Sequence, residues 1–388
     1  MSQGHIRPQG EGSWQLKFDL GRDPVTGKRK SKFVTFRGNK RQAQAELTRL
    51  LAQRNAGSYV DPSKMTLAEY LNHWLTADVE RRVGKRTAAR YREIVERNIM
   101  PRLGHVPLRK LTAAYIEAFE ADLQRDGWVK PGKKGIEAPR RGLSAQTVLH
   151  VHRTLSQALN HAVRLEVLIK NPAKQVKPPR PVSQEIKMLS KQEIAALLAA
   201  AKGTYLYMPV LVAVTTGIRR GELLGLRWSD VDLKAGRLTV NQAMQRTKGE
   251  LEFKSPKTKT SRRTITLPAR TVEALQAHYK AQLEDRMKLG LGRDPHGLVF
   301  TRADGKPSDP DSLSKAFERL VIKGKVTPIT LHGLRHTHIS HLLMDGVHVK
   351  VVSERAGHAN VNITLNTYAA YIPNMQADAA VRVNAWLR

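Results

Sequence analysis

At 388 residues the chain exceeds one typical domain, so two or three are expected, and its 66 Lys+Arg against 34 Asp+Glu give a formal charge of +32. That charge favours a polyanionic partner, nucleic acid before an anionic membrane surface. The most apolar stretch, 205–214, is far shorter than the ~20 residues of a membrane span and contains Pro209, which excludes insertion. The N-terminal MSQGHIRPQG lacks the apolar core of a secretory signal, and with no cysteine there is neither a disulfide nor a thiolate zinc site, so a cytoplasmic protein is expected.

Residues 1 to about 60 read as a small sheet with one helix. Trp14, Leu16, Phe18 and Leu20 alternate, 32–36 is rich in β-formers, and 22–27 supplies turn chemistry between them. Asn39 is expected to cap a helix running to about Arg54. The segment holds twelve Lys/Arg and four Asp/Glu, and Lys28, Arg29, Lys30, Lys32, Arg37, Lys40 and Arg41 fall in a stretch without an acid. Positive charge alternating with aromatics on a strand predicts a DNA-contacting sheet.

From Thr66 the apolar spacing turns helical: Leu67, Tyr70, Leu71 and Trp74, then Tyr91, Ile94, Val95 and Ile99. The spacing continues through 111–123 and 147–168, which predicts an all-helical domain of about four helices over roughly 64–172. Pro101 and Pro107 are expected to bracket one break, and 127–142 to form a basic loop. The four prolines of 171–187 predict a semi-rigid extended linker.

The remainder, 188–388, is predicted to be mostly helical with one β-rich island. Ser190 and Glu193 form a capping-box pattern, and the apolar stretch carries a second helix to Thr216. Residues 237–240 and 262–267 read as antiparallel strands flanking a basic, turn-prone segment, 247–261.

Four segments of this region hold polar groups that could act together. In TGIRRGELLGLRW a glycine ends one helix and offers Arg219 at the start of the next, where backbone N–H groups favour an anion; Glu222 lies one turn on. The hairpin 254–263 carries Lys257 and Lys259, mobile donors able to reach a phosphate or a leaving oxygen. In LHGLRHTH, His332 and Arg335 share one helix face, with Thr330 as cap. His332, His336, His338 and His341 include helical spacings, but without a nearby acid or an HExxH arrangement no metal is expected. The fourth segment runs from His358 to Tyr368 and Tyr371. Cleaving a phosphodiester without metal takes a nucleophile, cations for the equatorial oxygens and an acid for the leaving alkoxide, and this set contains all three.

In their order these segments resemble the catalytic domain of tyrosine recombinases, the phage-integrase family, over 188–388. The resemblance implies that Arg219 and Arg335 bind the scissile phosphate and Lys257 is the general acid. It also implies that His332 and His358 hydrogen-bond the phosphate and assist proton transfer, with Tyr368 as nucleophile and no cofactor. Tyr371 and Lys259 are the alternatives to Tyr368 and Lys257, and Ala370 stands where many relatives carry histidine. The helical region resembles the family's core-binding domain, and residues 1–60 its three-stranded arm-binding domain. The expected fold is therefore multidomain and mainly α with small β elements: domains at 1–60 and 64–172, a linker at 173–187, and a mixed α/β catalytic domain at 188–388. The expected function is site-specific integration or excision of a mobile element such as a phage genome, through a 3′-phosphotyrosine. The partners implied are double-stranded DNA at core and arm sites, a homotetramer, and a host DNA-bending or directionality factor in the bacterial nucleoid. A type IB topoisomerase and a non-catalytic DNA-binding regulator are the rival readings.

Overall fold

The computed structural model describes residues 4–22, 29–55, 65–127, 141–182, 185–247, 249–255, 262–292, 294–371, 380 and 383–386. Most of the expected turn at 22–27, most of the basic loop at 127–142, and Lys28, Lys257 and Lys259 lie outside these residues. The chain divides into two units, Met1–Val182 and Ser183–Arg388.

The first unit begins with an antiparallel sheet of β1 (His5–Gly10), β2 (Ser13–Arg22) and β3 (Arg29–Arg37), in that order. Alternation turns Leu16 and Phe18 to one face, where they bury against Ala43, Leu47 and Leu50 of α1 (Lys40–Asn55). Asn39 caps α1 reciprocally: its Oδ1 accepts from Gln42 N–H at 2.9 Å and its own N–H donates to Gln42 Oε1 at 3.0 Å.

Four helical rods follow. The first runs from α2 (Leu67–Trp74) through a π turn, Leu75–Val79, into α3 (Glu80–Arg82). The second runs from α4 (Lys85–Ile94) through a π turn, Val95–Ile99, into α5 (Met100–Leu103); α6 (Ala113–Asp126) and α7 (Ala145–Arg164) complete the set. Their apolar stripes enclose Leu71, Trp74, Ile99, Leu123, Leu155 and Leu159. The break lies between Pro101 and Pro107 as expected, at residues 104–107, and not at Pro101 itself. Ahead of it Met100 N–H reaches back five residues to Val95 O, re-registering the ladder before a residue that has no N–H, and the rod continues to Leu103. A buried pair, His152 Nδ1 to Glu120 Oε1 at 2.6 Å, ties α7 to α6.

The second unit opens with α8 (Lys191–Ala201), α9 (Tyr207–Thr216) and α10 (Arg220–Leu224). A three-stranded antiparallel sheet, ordered β4 (Val231–Asp232), β5 (Arg237–Val240) and β8 (Arg263–Thr266), pairs Leu238 with Ile265. Between β5 and β8 stands a second hairpin, β6 (Ala243–Thr247) with β7 (Glu250–Lys254), where the sequence suggested only turns. The alternation that makes β7 a strand is Leu251 and Phe253, which pack on the core while Glu250 faces solvent; the intervening charges masked it. Helices α11 (Ala269–Lys288), α12 (Pro310–Lys323), α13 (Leu331–Met344), α14 (Val349–Ala356) and α15 (Val361–Tyr368) follow. Among the described residues no helix is long and apolar enough to cross a membrane.

The α8 cap also braces the approach to α13. Glu193 accepts from Ser190 N–H at 2.8 Å, and from Thr327 N–H at 2.8 Å and the Thr327 hydroxyl at 2.6 Å. These bonds, led by the Thr327 hydroxyl, hold its carboxyl down at about 2 against an ordinary 4.5. A depressed folded-state value contributes stability that is full above pH 4.5 and is lost as pH falls toward about 2. Thermal melts across that window should show this loss, and Glu193→Gln should flatten it; an unchanged acid slope in the variant would remove Glu193 from the account.

Candidate active site

Helix α9 ends at Gly217, whose left-handed backbone (φ 65°) favours glycine, and a Cβ there would lie 2.6 Å from His338 Cδ2. The carbonyl so exposed accepts from Arg335 Nη1 at 2.7 Å. Arg335 is 3 % exposed, and its Nη2 has no hydrogen-bond partner among the described residues. Burial first, then the positive charge of Arg219 and Arg263, pulls this guanidinium down to about 9, so it stays charged at neutral pH yet incompletely satisfied.

Arg219 occupies the N-cap of α10, as the sequence suggested. It donates from Nη1 to Glu222 Oε1 at 2.8 Å and from Nη2 to the Gly357 carbonyl at 2.8 Å. Glu222 is buried and also accepts from Arg263, at 2.8 Å from Nη2. Burial pushes the Glu222 carboxyl up, but Arg263 and Arg219 outweigh it, leaving it below its ordinary value. Arg263 Nε in turn donates to the Arg355 carbonyl at 2.7 Å. Gly357 ends α14 in the same left-handed conformation, and a Cβ on it would meet the Arg263 guanidinium at 2.8 Å.

Arg355 completes this frame, donating from Nη2 to Thr215 O at 2.9 Å, from Nη1 to Thr266 O at 3.1 Å and from Nε to His338 Nε2 at 3.0 Å. With Nε2 accepting, His338 donates from Nδ1 to Val214 O at 2.9 Å, so its neutral tautomer is set. His341 is engaged elsewhere, its Nε2 on Leu189 O at 2.8 Å.

Tyr368 ends α15 with 2 % exposure, its hydroxyl 2.6 Å from His336 Nδ1. Burial pushes the phenol up to about 12, partly opposed by Arg335. The His336 ring meets that of His332 edge to face at 5.0 Å. His358 Nδ1 lies 2.7 Å from the Thr364 hydroxyl. Burial first, then neighbouring positive charge, presses His332 and His358 each down to about 4, so both imidazoles are neutral at pH 7. The Tyr371 hydroxyl donates to Ile186 O at 2.9 Å.

The fold thus brings Arg219, Glu222, His332, Arg335, His358 and Tyr368 into one neighbourhood, while Lys257 is outside the described residues. Sequence reasoning passed over Arg263 and Arg355, and took His336 and His338 only as candidate ligands. The signals were present: Arg263 holds an inward position of β8 beside Ile265, and 332, 335 and 336 share a helix face.

A second exposed surface lies on the N-terminal sheet. On the face away from α1, Arg7, Lys17, Thr35 and Arg37 are exposed, Gln15 is half-buried, and Lys17 Nζ stands 5.4 Å over the Phe33 ring. Of the expected contact residues, Arg37 is on this face, while Lys40 and Arg41 are exposed at the start of α1. Lys32 pairs in register with Phe18, and Arg29 and Lys30 lie on β3. Arg7, Gln15 and Lys17 were missed because they lie outside the basic run; strand alternation is what reveals them.

Gly217→Ala tests the arginine frame. A left-handed alanine should cost about 1–2 kcal/mol in chemical denaturation. The clash with His338 should also displace the Arg335 anchor, so DNA cleavage should fall further than stability does.

The chain matches the Phage integrase family over residues 187–374 and the phage integrase N-terminal SAM-like domain over 66–123. It is 30% identical to an integrase of Streptomyces ambofaciens, across 95% of this chain and 92% of that one. It is 28% identical to a XerC-like tyrosine recombinase of Caldanaerobacter subterraneus subsp. tengcongensis, across 97% and 96%. Its fold is similar to that of the Tn1549 transposon integrase solved with a circular intermediate DNA, with a TM-score of 0.65 and 21% identity over 84% of this chain and all of that one. The two arginines on glycine carbonyls, the buried carboxylate paired with one of them and the enclosed tyrosine accord with these matches: the chain belongs to the phage integrase family of site-specific tyrosine recombinases.

Proposed function

We propose that Tyr368 attacks a DNA phosphodiester to give a 3′-phosphotyrosine and a free 5′-hydroxyl, and that a partner strand's 5′-hydroxyl reseals it, integrating or excising a mobile element such as a phage genome. One observation carries this reading: Arg335, buried near the Tyr368 hydroxyl, keeps a guanidinium nitrogen without a protein partner among the described residues. A buried cation short of hydrogen bonds is relieved by an anion, and a phosphate oxygen accepts readily. Arg219 supplies the second positive charge and Glu222 holds it in place. His332 and His358, neutral at rest, suit hydrogen bonds to the phosphate. The assignment of Lys257 as general acid rests on the sequence resemblance.

The bond energy is conserved in the phosphotyrosine, so no ATP is required and no cofactor is invoked. Exchange between two duplexes breaks four strands, and each chain carries one Tyr368, which supports a homotetramer on two core sites. The Tn1549 integrase was solved with a circular intermediate DNA, which supports a circular element as substrate. We assign the helical domain at 64–172 to core-site binding, the linker to 173–187, catalysis to 188–388, and arm-site binding to residues 1–60. A host DNA-bending or directionality factor would act through the arm sites. The place of action is the bacterial cytoplasm, on the nucleoid.

A nicked suicide substrate traps the covalent adduct. Tyr368→Phe should bind core DNA yet trap none, and Arg219→Ala and Arg335→Ala should each trap it roughly 100-fold more slowly or worse, the scale of losing one preorganised charge stabiliser. An undiminished adduct in Tyr368→Phe would shift the nucleophile to Tyr371.

For the arm domain the measurement is a footprint at fixed salt against scrambled DNA. Lys17→Ala with Arg37→Ala should weaken protection of arm sites and lower the salt dependence by about 0.9 per lost phosphate contact. Cleavage of core-site DNA should continue; arm protection at the wild-type level would make the sheet face a bystander.

A further inference from the structure

The nearest polar atom to the Tyr368 hydroxyl in the hydrogen-bond network is neither arginine nor His332 but His336 Nδ1, at 2.6 Å, with the two rings 5.6 Å apart and tilted at 44°. We infer that His336 is a catalytic residue that takes the proton from the Tyr368 hydroxyl during attack, an inference that rests on the reading of Tyr368 as nucleophile.

The geometry is that of a donor and an acceptor already paired. Tyr368 can donate to Nδ1 only if His336 carries its proton on Nε2 and is neutral. Burial first, then the charge of Arg335, keeps His336 below its ordinary value, which favours that neutral form. The groups that face it are His332 and Arg335 on its own helix, Tyr368 on α15, His358 ahead of α15 and, behind Tyr368, Tyr371. All of these are cationic or neutral, so the imidazolium formed by the transfer is unfavourable until a phosphate arrives. The scissile phosphate supplies the missing negative charge next to Arg335 and raises the basicity of His336 when the proton must move.

The step balances within these groups. The Tyr368 O–H bond breaks, its proton passes to His336 Nδ1, and the electron pair left on Oη forms the bond to phosphorus. The bond from phosphorus to the 5′ oxygen breaks, and that oxygen leaves with the pair and takes a proton from the general acid. In resealing, His336 returns its proton to the departing Tyr368. His332, edge-on to His336, is left free for the phosphate, so the two neighbouring imidazoles divide the work.

The test is single-turnover trapping of the full-length chain on a nicked core site, from roughly pH 5 to pH 9, with His336→Gln and His336→Ala. Gln can still accept a hydrogen bond from Tyr368 but cannot carry its proton away. Both variants should bind DNA normally and form adduct more slowly by roughly 10²–10⁴, the usual worth of a positioned general base. The wild-type rate should drop at acid pH as Nδ1 becomes protonated, His336→Gln should lose that acid limb, and added imidazole should restore part of the His336→Ala rate. Trapping at or above the wild-type rate in either variant overturns the inference, because the bond is then only a resting contact. So does a slow variant that retains the acid limb and ignores imidazole, the mark of a structural role. An adduct that persists in Tyr368→Phe overturns the nucleophile reading and this inference together, whereas a wild-type His336→Gln overturns the inference alone.

Discussion

The buried carboxylate of Glu222 is the interaction on which the second unit depends. Three arginines, Arg219, Arg263 and Arg335, are gathered by elements far apart in sequence, and like charges at that spacing repel. Each ion removed from water also loses several kcal/mol of hydration. One acid cannot compensate three guanidinium groups. It neutralises the nearer two, Arg219 at 2.8 Å and Arg263 at 2.8 Å, and leaves Arg335, among the described residues, hydrogen-bonded to a neutral carbonyl. The remaining positive charge is therefore concentrated beside Tyr368, where the proposed reaction needs an anion.

Backbone geometry provides the rest of the frame. Helices α9 and α14 both stop at a glycine in the left-handed conformation, and in both cases the glycine carbonyl takes an arginine, Arg335 at Gly217 and Arg219 at Gly357. In both cases, too, the space a Cβ would need is filled, by His338 or by Arg263. Ending a helix and anchoring a cation are thus a single structural event here. This explains how the ends of two short helices can hold charged side chains in fixed positions: the anchors are main-chain atoms, which cannot change rotamer.

The segments that hold the proposed chemistry were legible because each is a local pattern: a glycine before Arg219, a threonine cap before His332 and Arg335, and a tyrosine ten residues beyond His358. What was not legible is pairing over distance. Nothing local links His336 to Tyr368, 32 positions on, or Arg263 to Glu222, 41 positions back. The fold shows the same division. The helical rods and the pairing of β5 with β8 follow from apolar spacing, whereas the β6–β7 hairpin was hidden because charged residues occupy its outward positions. Pro101 and Pro107 do bracket a break, and Pro101 itself stays inside the rod because a π turn precedes its missing N–H. On the N-terminal sheet, charge density pointed to one strand, while alternation distributes the exposed donors over all three.

The site also separates two tasks that one residue type cannot share. Guanidinium groups hold their protons through the physiological range, even Arg335 at about 9, and so can bind a phosphate without exchanging protons with it. Imidazoles exchange protons readily, but His332 and His358 are pressed to about 4 by burial and by the same arginines, so in the free enzyme they add no charge. Only a phosphate that offsets the arginines brings these histidines back toward the range in which they can take or give a proton. Proton transfer by the imidazoles would in this way be conditional on substrate, whereas the Tyr368 phenol is held protonated by burial, and the positive charge of Arg335 already opposes that hold.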